Sequence, residues 1–328
     1  MRPPGAVGPA RPRPPRLSGV PASPALEVDA LVKGYRGRRV LDGLSLRAER
    51  GAVTAVLGPN GAGKTTTVEC CEGLRRPDTG TVRVLGLDPA RDGRALRPRV
   101  GVMLQDGGLP GAARARDVLR HVAALHARPL SPDLLLDLLG LGTVGRTPVR
   151  RLSGGQRQRL GLACAVVGRP EVAFLDEPTA GLDPQSRLAV WALVRRLRDD
   201  GVAVVLTTHL MDEAERLADH VVVVDAGHVV AEGAPAALTA GGDALQFAAR
   251  PGLDLAALRG AVPDGVAVEE PVPGRYVVEG RDGTALGPQV LATVTARCAS
   301  NGVMPEGLAL GRRTLEDVFL ELTGRALR

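Results

Sequence analysis

Gly58-Pro59-Asn60-Gly61-Ala62-Gly63-Lys64-Thr65 is the stretch from which the rest of the chain can be read. It fits G-x-x-x-x-G-K-[ST], a glycine-rich loop whose backbone N–H groups cradle a polyphosphate. The pattern carries that meaning only between a strand and a helix, and both flanks qualify. Ahead of it, Ala52-Val53-Thr54-Ala55-Val56-Leu57 is a short apolar run that reads as a buried strand. After it, Thr65-Thr66-Thr67-Val68-Glu69-Cys70-Cys71-Glu72 can start a helix. The helix dipole adds partial positive charge at the point where the loop N–H groups converge. In this reading Gly58 through Gly63 form the cradle, Lys64 reaches the β- and γ-phosphates, and the Thr65 hydroxyl, with Thr66 beside it, faces a bound Mg²⁺. Composition supports Lys64. Lys33 and Lys64 are the only lysines in an arginine-rich chain, and a planar guanidinium cannot replace a compact ammonium in a tight loop.

The 328 residues suggest two domains. An apolar fraction of 44% is that of a globular protein and leaves enough for a sizeable core. The net charge of +6 does not point to nucleic acid. Arg2, Arg11, Arg13 and Arg16 precede the first acid, Glu27, so much of the excess lies in one tail. A nucleic-acid surface calls for a basic face interleaved with aromatics, and aromatics make up 2% of the chain. Cys70, Cys71, Cys164 and Cys298 are too few for a disulfide framework and fit a reducing cytosol. No apolar run reaches the length of a membrane-spanning helix, and the N-terminal tail lacks the apolar segment of a secretory signal. Abundant Ala, Arg, Gly and Pro with scarce Lys fits coding from a GC-rich bacterial genome.

Residues 1–24, rich in Pro and Arg, are expected to be disordered. Leu26 to Val32 and Arg39 to Leu46 alternate as strands of an antiparallel sheet. Thr81 to Leu85 and Arg99 to Leu104 are further strands, the latter ending at Gln105. Residues from about 112 to 150 read as helical, with Ser131 and Pro132 opening one segment. From Gly154 onward helices and strands alternate: a helix to Val167, a strand Val172 to Leu175, a helix Pro184 to Arg198, a strand Val202 to Thr207, a helix Met211 to Ala218 and a strand Val221 to Val224. That alternation implies a parallel sheet with right-handed crossovers. Beyond about residue 241 the order is β-α-β-β-α-β, a small α+β layer domain. It is closed by an amphipathic helix over Thr314 to Leu322, which is expected to pack on that domain. There is no internal repeat.

Val172-Ala173-Phe174-Leu175-Asp176-Glu177 is an apolar strand ending in two carboxylates. Standing alone, it would be two acids before a proline turn. Beside a phosphate loop, the first acid of such a strand holds Mg²⁺. Side chains alternate along a strand, so Glu177 points elsewhere. There it can reach a water in line with the γ-phosphate and act as general base. Leu152-Ser153-Gly154-Gly155-Gln156 opens the next helix, with Ser153 able to cap it and the glycines exposing N–H groups at its positive end.

At this point the chain resembles the ATP-binding cassette (ABC) ATPases. Ser153-Gly154-Gly155-Gln156 matches their signature, with a helical segment before it and the Asp-Glu strand after it. Gln105 matches the Q-loop glutamine, Gly181-Leu182-Asp183 the D-loop, His209 the switch histidine, and Tyr35 the aromatic that stacks on adenine. The resemblance covers residues from about 25 to 240. It implies a P-loop NTPase α/β fold with a RecA-like core, an antiparallel β subdomain and a helical subdomain. The domain layout is then a tail (1–24), a nucleotide-binding domain (25–240) and a C-terminal accessory domain (241–328). It implies ATP and Mg²⁺ as cofactors, the ion on Thr65, Gln105 and Asp176. It also implies catalysis by Glu177, His209 and Gln105. Two cassettes would pair head to tail, each ATP lying between one phosphate loop and the partner's Ser153-Gly154-Gly155, with Gln156 and Asp183 at the same seam.

Thr314-Leu315-Glu316-Asp317-Val318-Phe319-Leu320-Glu321-Leu322-Thr323-Gly324-Arg325 resembles the ending of ATP-binding subunits of daunorubicin-resistance-like exporters. So does Gln105-Asp106-Gly107-Gly108-Leu109-Pro110. The long Pro/Arg-rich N-terminus departs from their pattern. This branch implies a bacterial efflux ATPase, peripheral at the cytoplasmic face of the membrane and driving a permease on a separate chain. The permease is expected to dock at the strand end near Gln105, where Arg114 and Arg116 are expected to be exposed. The rival is a soluble ABC ATPase acting on nucleic acid or ribosomes. Against it stand the single cassette and the lack of a long heptad insertion between phosphate loop and signature.

Overall fold

A computed structural model describes residues 23–104, 108–240, 243–280, 284, 286–312 and 314–323. The expected disordered tail, up to residue 22, and the expected Q-loop residue Gln105 lie outside the described residues. The chain opens with β1 (Leu26–Tyr35), β2 (Arg38–Ala48), β3 (Val53–Leu57) and α1 (Lys64–Cys71). It continues with β4 (Thr79–Val84), α2 (Gly93–Leu96), β5 (Val100–Met103), α3 (Ala115–Ala124) and α4 (Pro132–Leu138). Then come α5 (Gly154–Val166), β6 (Val172–Asp176), α6 (Pro184–Asp199), β7 (Ala203–Thr208), α7 (Met211–Leu217), β8 (His220–Asp225), β9 (His228–Gly233) and α8 (Pro235–Leu238). The last stretch holds β10 (Asp243–Ala248), α9 (Leu255–Arg259), β11 (Val266–Val272), β12 (Arg275–Gly280), α10 (Pro288–Ser300), β13 (Glu306–Arg312) and α11 (Leu315–Thr323).

The central sheet has six strands in the order β5-β6-β7-β3-β8-β9. It is parallel except for β9. Every residue of β3, β6 and β7 is buried, which is why these strands read as unbroken apolar runs rather than alternating ones. Their side chains divide between two cores. Ala55, Leu57, Leu175 and Leu206 face a layer built from α3 to α7. Val56, Phe174 and Val205 face α1 and the three-stranded antiparallel sheet β2-β1-β4. Because β6, β7 and β3 are neighbours and parallel, their C-terminal ends lie side by side. That edge is where ligands bind in open α/β sheets, and the phosphate loop, the Asp-Glu pair and His209 all leave from it.

Strand β9 was not expected. It returns antiparallel to β8 through Ala226 and Gly227, both with positive φ (47° and 86°), the signature of a primed two-residue hairpin turn. Asn or Asp at the first turn position would have announced it; Ala226 does not.

The C-terminal sheet is wholly antiparallel, ordered β11-β12-β10-β13. With α9 and α10 on one face it is a split β-α-β arrangement, with its own core around Phe247, Val268, Tyr276, Val278 and Val294. The helix expected to run from Leu255 to Val262 stops at Arg259, where Gly260 caps it. Helix α11 differs more from expectation. It meets β11 of the small domain as expected, and its Leu320 lines a cavity with Phe247 and Tyr276, but its Leu315 and Phe319 belong to the core of the cassette. The Leu315 N–H donates to Glu215 Oε1 of α7 at 2.7 Å. Arg116 also corrects the sequence reading: its guanidinium pairs with Asp133 at 3.1 Å and is half-buried, while Arg114 is exposed.

Candidate active site

Helix α1 begins at Lys64 from Gly63, which holds a left-handed φ of 107° and offers no side-chain cap. The first N–H groups of α1 therefore have no partner within the helix. A Cβ on Gly63 would sit 2.5 Å from Leu41 Cδ2, and one on Gly58 would sit 2.2 Å from the Val224 carbonyl. Both positions require glycine for the loop to close against β2 and β8. Lys64 is only 5% exposed, and its Nζ donates to the carbonyls of Gly58 (2.7 Å) and Pro59 (3.1 Å). Burial lowers its pKa, and the carboxylates of Glu177 (3.9 Å away) and Asp176 act in the opposite direction. A buried cation on two neutral carbonyls, beside uncapped N–H groups, is a donor set suited to phosphate oxygens.

Asp176 ends β6 and is 3% exposed. Burial raises its pKa, while the Thr207 and Thr65 hydroxyls, both hydrogen-bonded to it, oppose that rise. Thr207 stands opposite Asp176 in the β6–β7 register. Its hydroxyl donates to Asp176 Oδ1 and accepts from the Glu177 N–H at 3.0 Å. Strand alternation does not explain the direction of Glu177. The strand has ended, and Glu177 adopts a left-handed φ of 46°, a conformation that costs a non-glycine residue on the order of 1–3 kcal/mol and is typical of functional sites. The turn brings Glu177 Oε1 to 3.2 Å from His209 Nδ1, and Gln158 Nε2 holds the Glu177 carbonyl at 2.7 Å. Lys64, Thr65, Asp176, Glu177 and His209 thus converge at one edge of the sheet. Thr207 and Gln158 were missed from the sequence, since only strand register and helix packing bring them there.

Ser153 accepts from the Gln156 N–H (3.2 Å) and Gln156 Oε1 accepts from the Ser153 N–H (2.9 Å), a complete capping box on α5. Ser153 and Gly154 are exposed, and a Cβ built on Gly154 would meet no described atom beyond its own helix. Gly155 abuts Leu182 of the segment that ends at Asp183. Asp183 caps α6, accepting from the Ser186 N–H (2.9 Å) and hydroxyl (2.7 Å), and those bonds hold its carboxyl below the usual range. Tyr35 ends β1 with Lys33 and Arg75 within 5.5 and 5.8 Å of its ring centroid. Its buried hydroxyl has no hydrogen-bond partner among the described residues.

Residues 41–180 match the ABC transporter family model. The chain is 41% identical over 319 residues to daunorubicin resistance ATP-binding protein DrrA3 of Streptomyces coeruleorubidus, covering 92% of this chain and 97% of that one. It is 37% identical over 323 residues to Nod factor export ATP-binding protein I of Paraburkholderia xenovorans, covering 93% and 98%. Among solved structures, an ATP binding subunit of an ABC transporter superposes with a TM-score of 0.60 at 29% identity, over 65% of this chain and 91% of that one. An ATP-binding cassette bound to ADP and Pi, at 23% identity and a TM-score of 0.58, shares the fold over 64% of this chain and 98% of that one. With the ABC transporter family model matched and relatives of 41% and 37% identity aligned over nearly their full length, this chain belongs to the ATP-binding, ATP-hydrolysing subunits of ABC transporters.

Proposed function

We propose that this chain powers an exporter by hydrolysing Mg·ATP between two copies of itself, and that it docks on a separate membrane permease. The observation that carries the reading is the meeting of Lys64, Asp176, Glu177 and His209 at the C-terminal ends of three adjacent strands. Bound Mg²⁺ would neutralise phosphate charge and align the γ-phosphate. The hydroxyl of Thr65 and the carboxyl of Asp176, already hydrogen-bonded to each other, form an oxygen pair suited to that hard cation. Lys64 exchanges its carbonyl contacts for phosphate oxygens. Glu177 takes the proton of the attacking water, and His209, 3.2 Å from Glu177 Oε1, holds that carboxylate in place. Tyr35 supplies an aromatic ring for adenine, and Lys33 and Arg75, which lie over that ring, make way for the base. Gln105 completes the set in this reading and falls outside the described residues.

The signature of a second copy closes the site. Ser153 and Gly154 are exposed at the N-terminus of α5, so they can donate to the γ-phosphate of a partner's nucleotide. ATP then joins the two copies and hydrolysis releases them, a two-state element set by γ-phosphate contacts. A groove of about 410 Å³, lined by Met103, Leu104, Leu109, Val149, Arg157 and Gln158, opens beside the same helix. It suits a cytoplasmic helix of the permease. Among the described residues no helix is long and apolar enough to cross a membrane, which supports a peripheral place on that permease. The names of the relatives, daunorubicin resistance and Nod factor export, support efflux of an amphiphilic compound such as an antibiotic.

Glu177→Gln tests the centre of this proposal. Loss of a general base costs about 10²–10⁴ in rate, so the variant should bind ATP, turn it over at least a hundredfold more slowly, and accumulate as an ATP-bound dimer by light scattering. Steady-state turnover within a few-fold of wild type would remove Glu177 from that role.

A further inference from the structure

Two cross-links tie the segment that carries Glu177 to the segment that carries His209. The first is the Thr207 hydroxyl described above. The second lies behind the sheet edge and involves a residue with no part in the chemistry. Glu213, on α7 four residues after His209, is completely buried. Its Oε1 accepts from the Thr179 hydroxyl at 2.8 Å and from the Trp191 indole N–H at 3.0 Å. Its Oε2 is also buried, with no partner among the described residues. A carboxyl is costly to bury, and here it serves three elements at once: the turn after Glu177, helix α6 and helix α7.

Thr179 sits in the middle of that turn. The Ala180 N–H donates to the Glu177 carbonyl at 3.1 Å and the Leu182 N–H to the Thr179 carbonyl at 3.2 Å. Holding the Thr179 side chain therefore fixes the path from the left-handed Glu177 to Asp183. We propose that Glu213 is a positioning residue for hydrolysis: through Thr179 it locks the Glu177–Asp183 segment to the helix that follows His209, so that base, switch histidine and dimer-facing loop move as one body. Trp191 steadies this carboxyl through its indole N–H but does not itself hydrogen-bond the Glu177–Asp183 segment among the described residues. The inference rests on the reading of Glu177 and His209 as the hydrolytic pair.

The prediction separates geometry from stability. Thr179→Val removes the hydroxyl and keeps the shape. It should lower kcat roughly tenfold or more, as small misplacements of reacting groups do, with KM for ATP changed less than about twofold, because the nucleotide itself is held by the phosphate loop. Glu213→Ala should lose as much kcat. The double variant should lose no more than Glu213→Ala alone, as coupled neighbours do. Glu213→Gln keeps an acceptor oxygen and should retain kcat within about threefold, whatever its melting temperature. Trp191→Phe should lower melting temperature and leave kcat within about twofold. Wild-type kcat in a folded Thr179→Val variant would overturn the proposal. So would kcat losses that simply follow melting temperature across the set. Glu177→Gln run alongside tells the two readings apart: if it turns over normally, the hydrolytic pair itself has been misread.

Discussion

Glu72, at the C-terminal end of α1, is a carboxyl with neither oxygen hydrogen-bonded among the described residues. Burial, with Asp176 and Glu69 adding repulsion, pushes its pKa from an ordinary 4.5 up to about 8. Below the ordinary value the group is protonated whether the chain is folded or not, and it adds no pH dependence to stability. As pH rises towards 8 the unfolded chain releases the proton while the folded chain keeps it, so stability falls across that window. Glu72→Gln should abolish this slope. Its melting temperature should match wild type near pH 4.5 and exceed it above pH 8, with a gain on the order of 3–5 kcal/mol. A gap between the two proteins that does not change with pH would show that Glu72 is not the titrating group. At this scale the sequence was most informative where chemistry depends on consecutive residues. Lys64, Thr65, Asp176 and Glu177 follow from local spacing. Thr207 does not, since it reaches Asp176 only through parallel strand pairing across 31 positions of chain. The left-handed turn at Glu177 is likewise set by its surroundings and not by residue type.

Helix α5 shows what an element adds. Its N-cap was legible at Ser153, while the return bond from Gln156 that completes a capping box emerged only in the fold; Pro132 and Pro184 similarly marked the starts of α4 and α6. What spacing could not tell is which way the helix N-terminus faces. In the fold, Gly155 and Gln158 turn inward to Leu182 and the Glu177 carbonyl, whereas Ser153 and Gly154 face outward. Ser153→Arg uses that division. The lost cap should cost about 1 kcal/mol, leaving a folded chain that binds ATP with near wild-type affinity by calorimetry. An arginine on the outward face should block the second copy, so ATP-dependent dimerisation and hydrolysis should both disappear. Full hydrolysis in this variant would mean that the signature does not act on a partner's nucleotide. The β8–β9 hairpin makes the complementary point. Its turn was invisible at Ala226, yet its Gly227 carbonyl accepts from the Asp42 N–H at 3.1 Å and its Gly227 N–H donates to the Ala62 carbonyl at 3.0 Å. An unread turn thus braces the loop that was read first.

For the molecule as a whole, the question is how a hydrolysis cycle leaves the sheet edge. Two routes run outward from the site. One follows the groove beside α5, where Leu104 is 41% exposed on the strand side. The other follows α7, which holds Glu213 against the Thr179 turn and presents Glu215 to the first N–H of α11. Because Leu315 and Phe319 lie in the cassette core, the C-terminal sheet is anchored to α7 rather than tethered loosely to it. The sequence placed the closing helix and its packing on the small domain, where it meets β11, but did not show that Leu315 and Phe319 enter the cassette core, because amphipathic spacing records that a face is buried and not against what. A motor with both routes leading outward needs a body to move, which the exporter reading assigns to the permease. Co-expression with candidate six-helix permeases, followed by membrane fractionation, tests this. The chain should sediment with membranes only when its permease is present, be released by carbonate, and leave the membrane when the groove is filled by Leu109→Trp. Glu177→Gln in the same cells should remain membrane-bound and fail to confer drug resistance, which separates docking from turnover. If the chain stays off the membrane with every such permease, or if resistance appears without one, the exporter assignment falls even though the ATPase site stands.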